Sequence, residues 1–157
     1  NADYQAQKSK YESYIPYELY NENNLIKSDG DPNFYESETA NNGTEMKNII
    51  HVDLYWKDSA SCTYNLNGKY DVVKGQEFLS KGQMNQDGTT YFVAYGDGKE
   101  LYTSPKITAG VLPKNVSFNV SGVQTLEIKF YKTSDSYDSA HFYLSGLTAQ
   151  KSIKGSE

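Results

Sequence analysis

The sequence contains no arginine; all fifteen of its basic residues are lysine. Arginine is the side chain that grips phosphate and carboxylate with two parallel hydrogen bonds. Nucleotides, phosphorylated ligands and acidic polymers are therefore poor matches. The lysines form no basic stripe, and the formal net charge is −5. Nucleic acid binding needs clustered cations to release counterions, so no nucleic acid partner is expected. Cysteine occurs once, at Cys62, which rules out a disulfide within the chain. Its place in Cys62-Thr63-Tyr64-Asn65-Leu66 reads as a small buried residue rather than a nucleophile. No apolar run is long enough for a membrane-spanning helix or a signal segment. The chain begins at Asn1 without Met, as a processed protein or an excised module would.

Catalytic signatures are missing too. There is no G-x-S-x-G elbow, no P-loop and no H-E-x-x-H. One cysteine and two histidines are too few for a zinc cluster. No Asp or Glu sits in the apolar setting that would raise its pKa for glycosidase acid work. The protein is expected not to be an enzyme, although an ancillary module of a glycoside hydrolase fits.

What is abundant is tyrosine: fifteen, beside six phenylalanines and one tryptophan. Tyrosine favours strands and carries an apolar body with a polar tip. The chain also reads as a series of short strands punctuated by tight turns. Residues 61–66 precede Asn67-Gly68, 91–95 precede Gly96-Asp97-Gly98, and 116–120 precede Ser121-Gly122. Each of these predicts a hairpin-type reversal. Leu126, Ile128 and Phe130 alternate with Glu127 and Lys129. Residues 47–56 alternate as well, with Ile50, Val52, Leu54 and Trp56 on one face toward the core. Further strands are expected at 70–79, 89–95, 99–103, 123–132 and 140–149. Eight or nine strands in one unit predict an all-β fold, an antiparallel β-sandwich or jelly roll.

Residues 1–44 read as an N-terminal leader and loop packed on the domain, with one strand near residues 17–20 and a polar loop at 28–44. Residues 45–150 read as the sandwich, and 151–157 as a tail. Asp29-Gly30-Asp31-Pro32 is an ordinary turn sequence, yet Asp29 and Asp31 also suit calcium, which takes oxygen ligands from loops.

Several segments together resemble one family. Tyr64-Asn65-Leu66-Asn67-Gly68-Lys69-Tyr70 is similar to a strand–turn–strand of the NPCBM family of carbohydrate-binding modules. So are Tyr95-Gly96-Asp97-Gly98-Lys99-Glu100-Leu101-Tyr102-Thr103-Ser104-Pro105 and Asn119-Val120-Ser121-Gly122-Val123-Gln124-Thr125-Leu126. Ala140-His141-Phe142-Tyr143-Leu144 sits where that family closes with a His-bearing strand. Order and spacing agree over residues 45–150. The resemblance implies a galactose-binding-domain-like sandwich, similar to family-51 carbohydrate-binding modules. It implies a non-catalytic role, binding galactose-type or related glycans and targeting a larger, multidomain bacterial protein that is extracellular or cell-wall associated. The chain departs from the galactose binders at one place. Where they carry a glycine-rich segment with a histidine, it reads Leu54-Tyr55-Trp56-Lys57-Asp58-Ser59-Ala60. A structural or adhesive surface module without a sugar site is the alternative.

A sugar site needs an aromatic ring to stack on the pyranose and a few fixed polar groups. Trp56 offers the ring, with Lys57 and Asp58 as hydroxyl partners, unless its parity with Leu54 sends it into the core and leaves Tyr55 exposed. His141 and Tyr143 on the closing strand, and Asp135 and Tyr137 in the loop before it, complete the expected carbohydrate-binding set. His51 has no partner nearby in sequence.

Overall fold

The computed structural model of the protein describes residues 1–12, 14–133 and 139–152. A helix, α1 (Ala2–Glu12), precedes eleven strands among the described residues. They are β1 (Tyr17–Glu18), β2 (Leu25–Asp29), β3 (Asn33–Thr39), β4 (Glu45–Asp53), β5 (Ser59–Asn65) and β6 (Val72–Phe78). β7 (Thr90–Gly96), β8 (Lys99–Thr103), β9 (Lys114–Asn119), β10 (Thr125–Lys132) and β11 (His141–Gln150) follow. The first sheet runs β3-β4-β11-β6-β9, with β1 added beside β11; the second runs β2-β5-β10-β7-β8. The pairings are antiparallel. The sandwich expected from alternation is the fold observed. No helix of the described residues is long and apolar enough to cross a membrane.

Alternation places one face of each central strand between the sheets. Ile50 and Val52 of β4, Phe142 and Leu144 of β11, Phe92 and Ala94 of β7, and Leu126, Ile128 and Phe130 of β10 are all essentially inaccessible. Phe92 lies at the middle. Its ring centroid is 5.6 Å from Phe142, 5.8 Å from Tyr102, 6.1 Å from Phe130 and 6.3 Å from Phe118. Each such side chain contributes about 1.5–3 kcal/mol by leaving water. Cys62 is buried and free, its thiol pushed up to about 12 by burial, as expected for a packing residue.

Two of the expected hairpins are instead crossings between the sheets. Asn67-Gly68 makes the left-handed reversal its sequence predicts, with φ of 53° and 69°. The strands on either side, however, enter different sheets: β5 pairs with β10 and β2, and β6 with β11 and β9. Ser121-Gly122 likewise joins β9 of one sheet to β10 of the other. Of the three expected hairpins, only the Gly96-Asp97-Gly98 turn joins paired neighbours, β7 and β8. Turn chemistry sets the local reversal; the choice of partner belongs to the two apolar faces that must meet.

Residues 28–44 are not the polar loop their composition suggests. They supply the end of β2 and all of β3, joined at Gly30 and Asp31 with φ of 78° and 54°. Pairing with β5 and β4 overrides the low strand propensity of Ser28, Asp29, Glu36 and Glu38. In the leader, the rings of Tyr17 and Tyr70 stack at 5.5 Å, and Leu19 is fully buried. The Tyr64 hydroxyl donates to the Leu19 carbonyl at 2.6 Å. By contrast Tyr4 and Tyr11 of α1 are 60% and 71% exposed. Residues 153–157 of the tail lie outside the described residues.

Contrary to the expectation that no acid occupies an apolar setting, Glu77 of β6 is fully buried with neither carboxylate oxygen hydrogen-bonded, because its strand lies covered in the sheet. Burial pushes its pKa up to about 8, against the opposing pull of Lys114. The folded state thus holds a proton between pH 4.5 and 8 that the unfolded state has released, so stability falls as pH rises through that window. Glu77→Gln is expected to flatten this alkaline decline in thermal melts at pH 5, 6.5 and 8; an unchanged slope refutes the assignment. Tyr64→Phe is expected to lower the unfolding free energy by about 1–2 kcal/mol, because it orphans the Leu19 carbonyl. Urea titration measures that loss.

Candidate functional site

The end of β4 and the start of β11 lie side by side, with Asp53 opposite His141 and His51 opposite Tyr143. Because Ile50 and Val52 point inward, His51 and Asp53 project from the outer face of the first sheet. Asn48, with φ of 59°, breaks the alternation, and Met46 clusters with Ile49 of that outer face. There Ala40, Met46, Ile49, Phe78 and Tyr143 form a second apolar cluster. His51 stacks on Tyr143, with centroids 4.2 Å apart and planes 9° from parallel. Tyr35 meets His51 edge-on at 6.3 Å.

His51, given no partner by the sequence, is hydrogen-bonded to the other histidine. Its Nε2 lies 2.8 Å from His141 Nδ1. His141 Nε2 faces Asp53 Oδ1 at 3.9 Å. The tautomers consistent with these neighbours carry protons on His51 Nε2 and His141 Nε2. The His51 proton then bridges the pair and the His141 proton faces the carboxylate. Burial and the neighbouring His141 lower the His51 pKa to about 4, although Asp53 opposes this. Burial also lowers His141, again opposed by Asp53. The pair is neutral at pH 7. Gln86, buried, binds both sides of the next loop: its Oε1 accepts from the His141 amide at 2.8 Å and its Nε2 donates to Gly88 O at 3.0 Å.

The chain turns sharply after Asp53. Leu54 is buried, and Lys57 N–H closes the turn on the Leu54 carbonyl at 3.1 Å. Trp56 holds the third position with φ of 67°, in the left-handed region where glycine is usual. The strand parity that would send Trp56 into the core therefore ends at Asp53, and Trp56 is 62% exposed. Tyr55 is exposed as well, its ring edge-on to Trp56 at 5.2 Å, and its N–H donates to Asp53 Oδ1 at 2.9 Å. Contacts thus run continuously from Trp56 through Tyr55, Asp53 and His141 to His51.

Two lysines pin this turn. Lys57 Nζ donates to Gly30 O at 2.9 Å and lies 3.8 Å from Asp31 Oδ2, so it serves the scaffold. Lys132 Nζ donates to Leu54 O at 2.6 Å. Gly30 packs so tightly that a Cβ there would lie 2.7 Å from the Ala60 Cβ.

The structure brings together Tyr55, Trp56, His141 and Tyr143 of the expected set, and leaves Asp58 exposed on the same turn. Tyr143 is buried beneath His51 and its hydroxyl accepts from Ser80 Oγ at 3.1 Å, so it backs the histidine instead of presenting a ring. Asp135 and Tyr137 lie outside the described residues. Asp29 and Asp31, the residues that suit calcium by sequence, lie on the β2–β3 reversal. They flank a tight turn, Asp31 faces Lys57, and no group of three His, Cys, Asp or Glu suited to a metal exists among the described residues. Reasoning from sequence missed Asp53, Gln86 and the His51 pairing. The outward parity that Asp53 shares with His51 was the one available signal.

The fold defines the class: a two-sheet antiparallel β-sandwich. The chain belongs to the NPCBM/NEW2 domain family, which matches residues 33–148, and modules of this kind are non-catalytic. A search of curated proteins finds no match. Among solved structures, CBM51-2 with the INT domains of Clostridium perfringens ZmpB, in complex with GlcNAc, is similar. It has TM-score 0.69 and 11% identity over 87% of this chain and 31% of that one. The CBM51 module of Clostridium perfringens GH95 in complex with methyl-galactose has TM-score 0.67 and 17% identity over 87% of this chain and 100% of that one. The tandem CBM51 modules of the family 98 glycoside hydrolase of Streptococcus pneumoniae have TM-score 0.63 and 16% identity over 87% and 46%. These likenesses establish the fold, and the chain spans less than a third of the first structure.

Because His51 titrates near pH 4 when folded and near 6.5 when unfolded, the unfolded state binds the extra proton between those values. Stability is complete above pH 6.5 and lost as pH falls toward 4. His51→Phe keeps a ring on Tyr143 and removes the titration. The acid-side drop in melting temperature is expected to shrink in this variant; a drop as large as the parent's would disprove the assignment.

Proposed function

We propose that the rim formed by Tyr55, Trp56, Asp53 and His141 binds a terminal sugar of the galactose type or a related glycan. One observation carries this reading: an exposed tryptophan occupies a left-handed turn position. Left-handed backbone costs a bulky residue about 1–3 kcal/mol, and burial offers Trp56 little in return. Such strain is retained where the ring has work to do. An indole face stacks on the apolar side of a pyranose, and the carboxylate of Asp53 beside it accepts from hydroxyls. His51 and Tyr143 hold the His141 ring in place, and Asp58 adds a second carboxylate at the turn. Asp135 and Tyr137, which precede β11 in sequence, stay part of the proposal as further sugar contacts.

The CBM51 modules solved with GlcNAc and methyl-galactose support this ligand class. On this reading the protein is a targeting module of a larger bacterial protein, secreted or wall-attached. A single small polar ligand gives weak binding, and linked copies raise avidity. The missing glycines and histidine of residues 54–60 favour one other reading, a surface module that has lost its sugar.

Retention on a galactose, N-acetylgalactosamine or N-acetylglucosamine column tests the proposal. Trp56→Ala is expected to weaken binding at least about tenfold, as loss of an anchoring aromatic worth roughly 2 kcal/mol does. His141→Ala is expected to abolish retention with the β-sheet circular dichroism unchanged. If both variants are retained like the parent, the rim is not the site; if the parent binds no glycan in an array, the structural reading stands.

A further inference from the structure

The second sheet carries an aromatic face that the rim does not use. Tyr131 of β10 lies directly opposite Tyr91 of β7, and their rings stack at 5.4 Å. Tyr95 leans along the strand until its hydroxyl meets that of Tyr131 at 3.0 Å. Lys129 Nζ stands 5.3 Å over the Tyr131 ring. These side chains alternate with Phe92, Ala94, Ile128 and Phe130, which are buried between the sheets, so all four point to the opposite face.

Two open hollows lie on this face, and both are lined by Tyr95. One, about 440 Å³, is bordered by Tyr91, Tyr131, Glu100 and Thr103. The other, about 430 Å³, is bordered by Lys27, Thr63, Thr125 and Glu127. Both are of ligand-site size. Their shared wall makes a track crossing β8, β7, β10, β5 and β2, wider than a single sugar needs.

We infer that this face is a second glycan site, one that takes an extended, uncharged polysaccharide chain and not a terminal sugar. The chemistry selects the occupant. Charges of both signs border the tyrosines: Lys27, Lys106 and Lys129 with Glu100 and Glu127. A charged polymer of either sign meets like charge along the track. A protein partner would have to bury these ions, and the cores of protein interfaces are depleted of charge. Sugar hydroxyls both donate and accept, so they satisfy lysine and glutamate alike and leave them partly hydrated, while the tyrosine rings supply the apolar contact. The aliphatic Val93 in the centre is 6% exposed, which leaves no greasy patch for an apolar ligand. This site stands independently of the rim.

Native gel electrophoresis through gels cast with β-1,4-galactan, glucomannan or mixed-linkage β-glucan tests it. The parent is expected to be slowed by at least one polysaccharide, and Tyr95→Ala to bind it at least tenfold more weakly. If Tyr95→Ala fails to fold, Glu127→Ala, at a half-exposed strand position, carries the test with the same expected weakening. The inference is overturned if none of the three slows the parent, if both face variants are slowed like the parent, or if only Trp56→Ala loses the shift. The last result would assign all binding to the rim.

Discussion

The packing of Phe92 against rings from both sheets is the contact on which the rest of the molecule depends. Phe118 and Phe142 reach it from one sheet, and Tyr102 and Phe130 flank it in its own. The interior can close only if β4, β7, β10 and β11 each turn the same parity inward. That requirement aims every outer side chain as well. His51 and Asp53 face outward because Ile50 and Val52 cannot, and Tyr95 and Tyr131 do so because Ala94 and Phe130 cannot.

The outer face of the first sheet is built in a second layer. The left-handed Asn48 breaks the alternation, and Met46 joins Ile49, Phe78 and Tyr143. That small apolar patch supports the stacked His51, whose contact with His141 removes both rings from free rotation. Rigid polar groups beside an exposed indole suit recognition of a small polar ligand, since little ordering remains to be done on binding. The family assignment and the non-catalytic character agree with this arrangement. The lowered pKa values of the histidines have burial as their first cause, and a paired neutral imidazole couple is a fixture more than a proton shuttle.

Much of the sandwich was legible because period-two alternation is a local property. The strands around Val52, Tyr64, Phe92, Ile128 and Leu144 were all readable, and so was the Gly96-Asp97-Gly98 hairpin. The two crossings at Asn67-Gly68 and Ser121-Gly122 were not, because a tight turn has the same residues whether it joins neighbours or facing sheets. β2 and β3 were hidden by their Ser, Asp and Glu content; strands of such composition exist only where others pair with them. In the rim, aromatic identity marked Trp56 and Tyr55. The His51–His141 couple was invisible, since ninety positions separate the two in the chain.

By itself, then, the sequence determined the class of fold, the inward residues of each strong strand, the family, and the absence of arginine-based recognition. Those properties follow from composition and short-range period, which the chain carries at every point along its length. Tertiary structure alone decided which strands share a sheet, that Trp56 leaves the core at a left-handed turn, and that His51, Asp53 and His141 meet. Such juxtapositions arise from long-range pairing between β4 and β11, and side chains far apart in a chain acquire a relation only when the core they share closes.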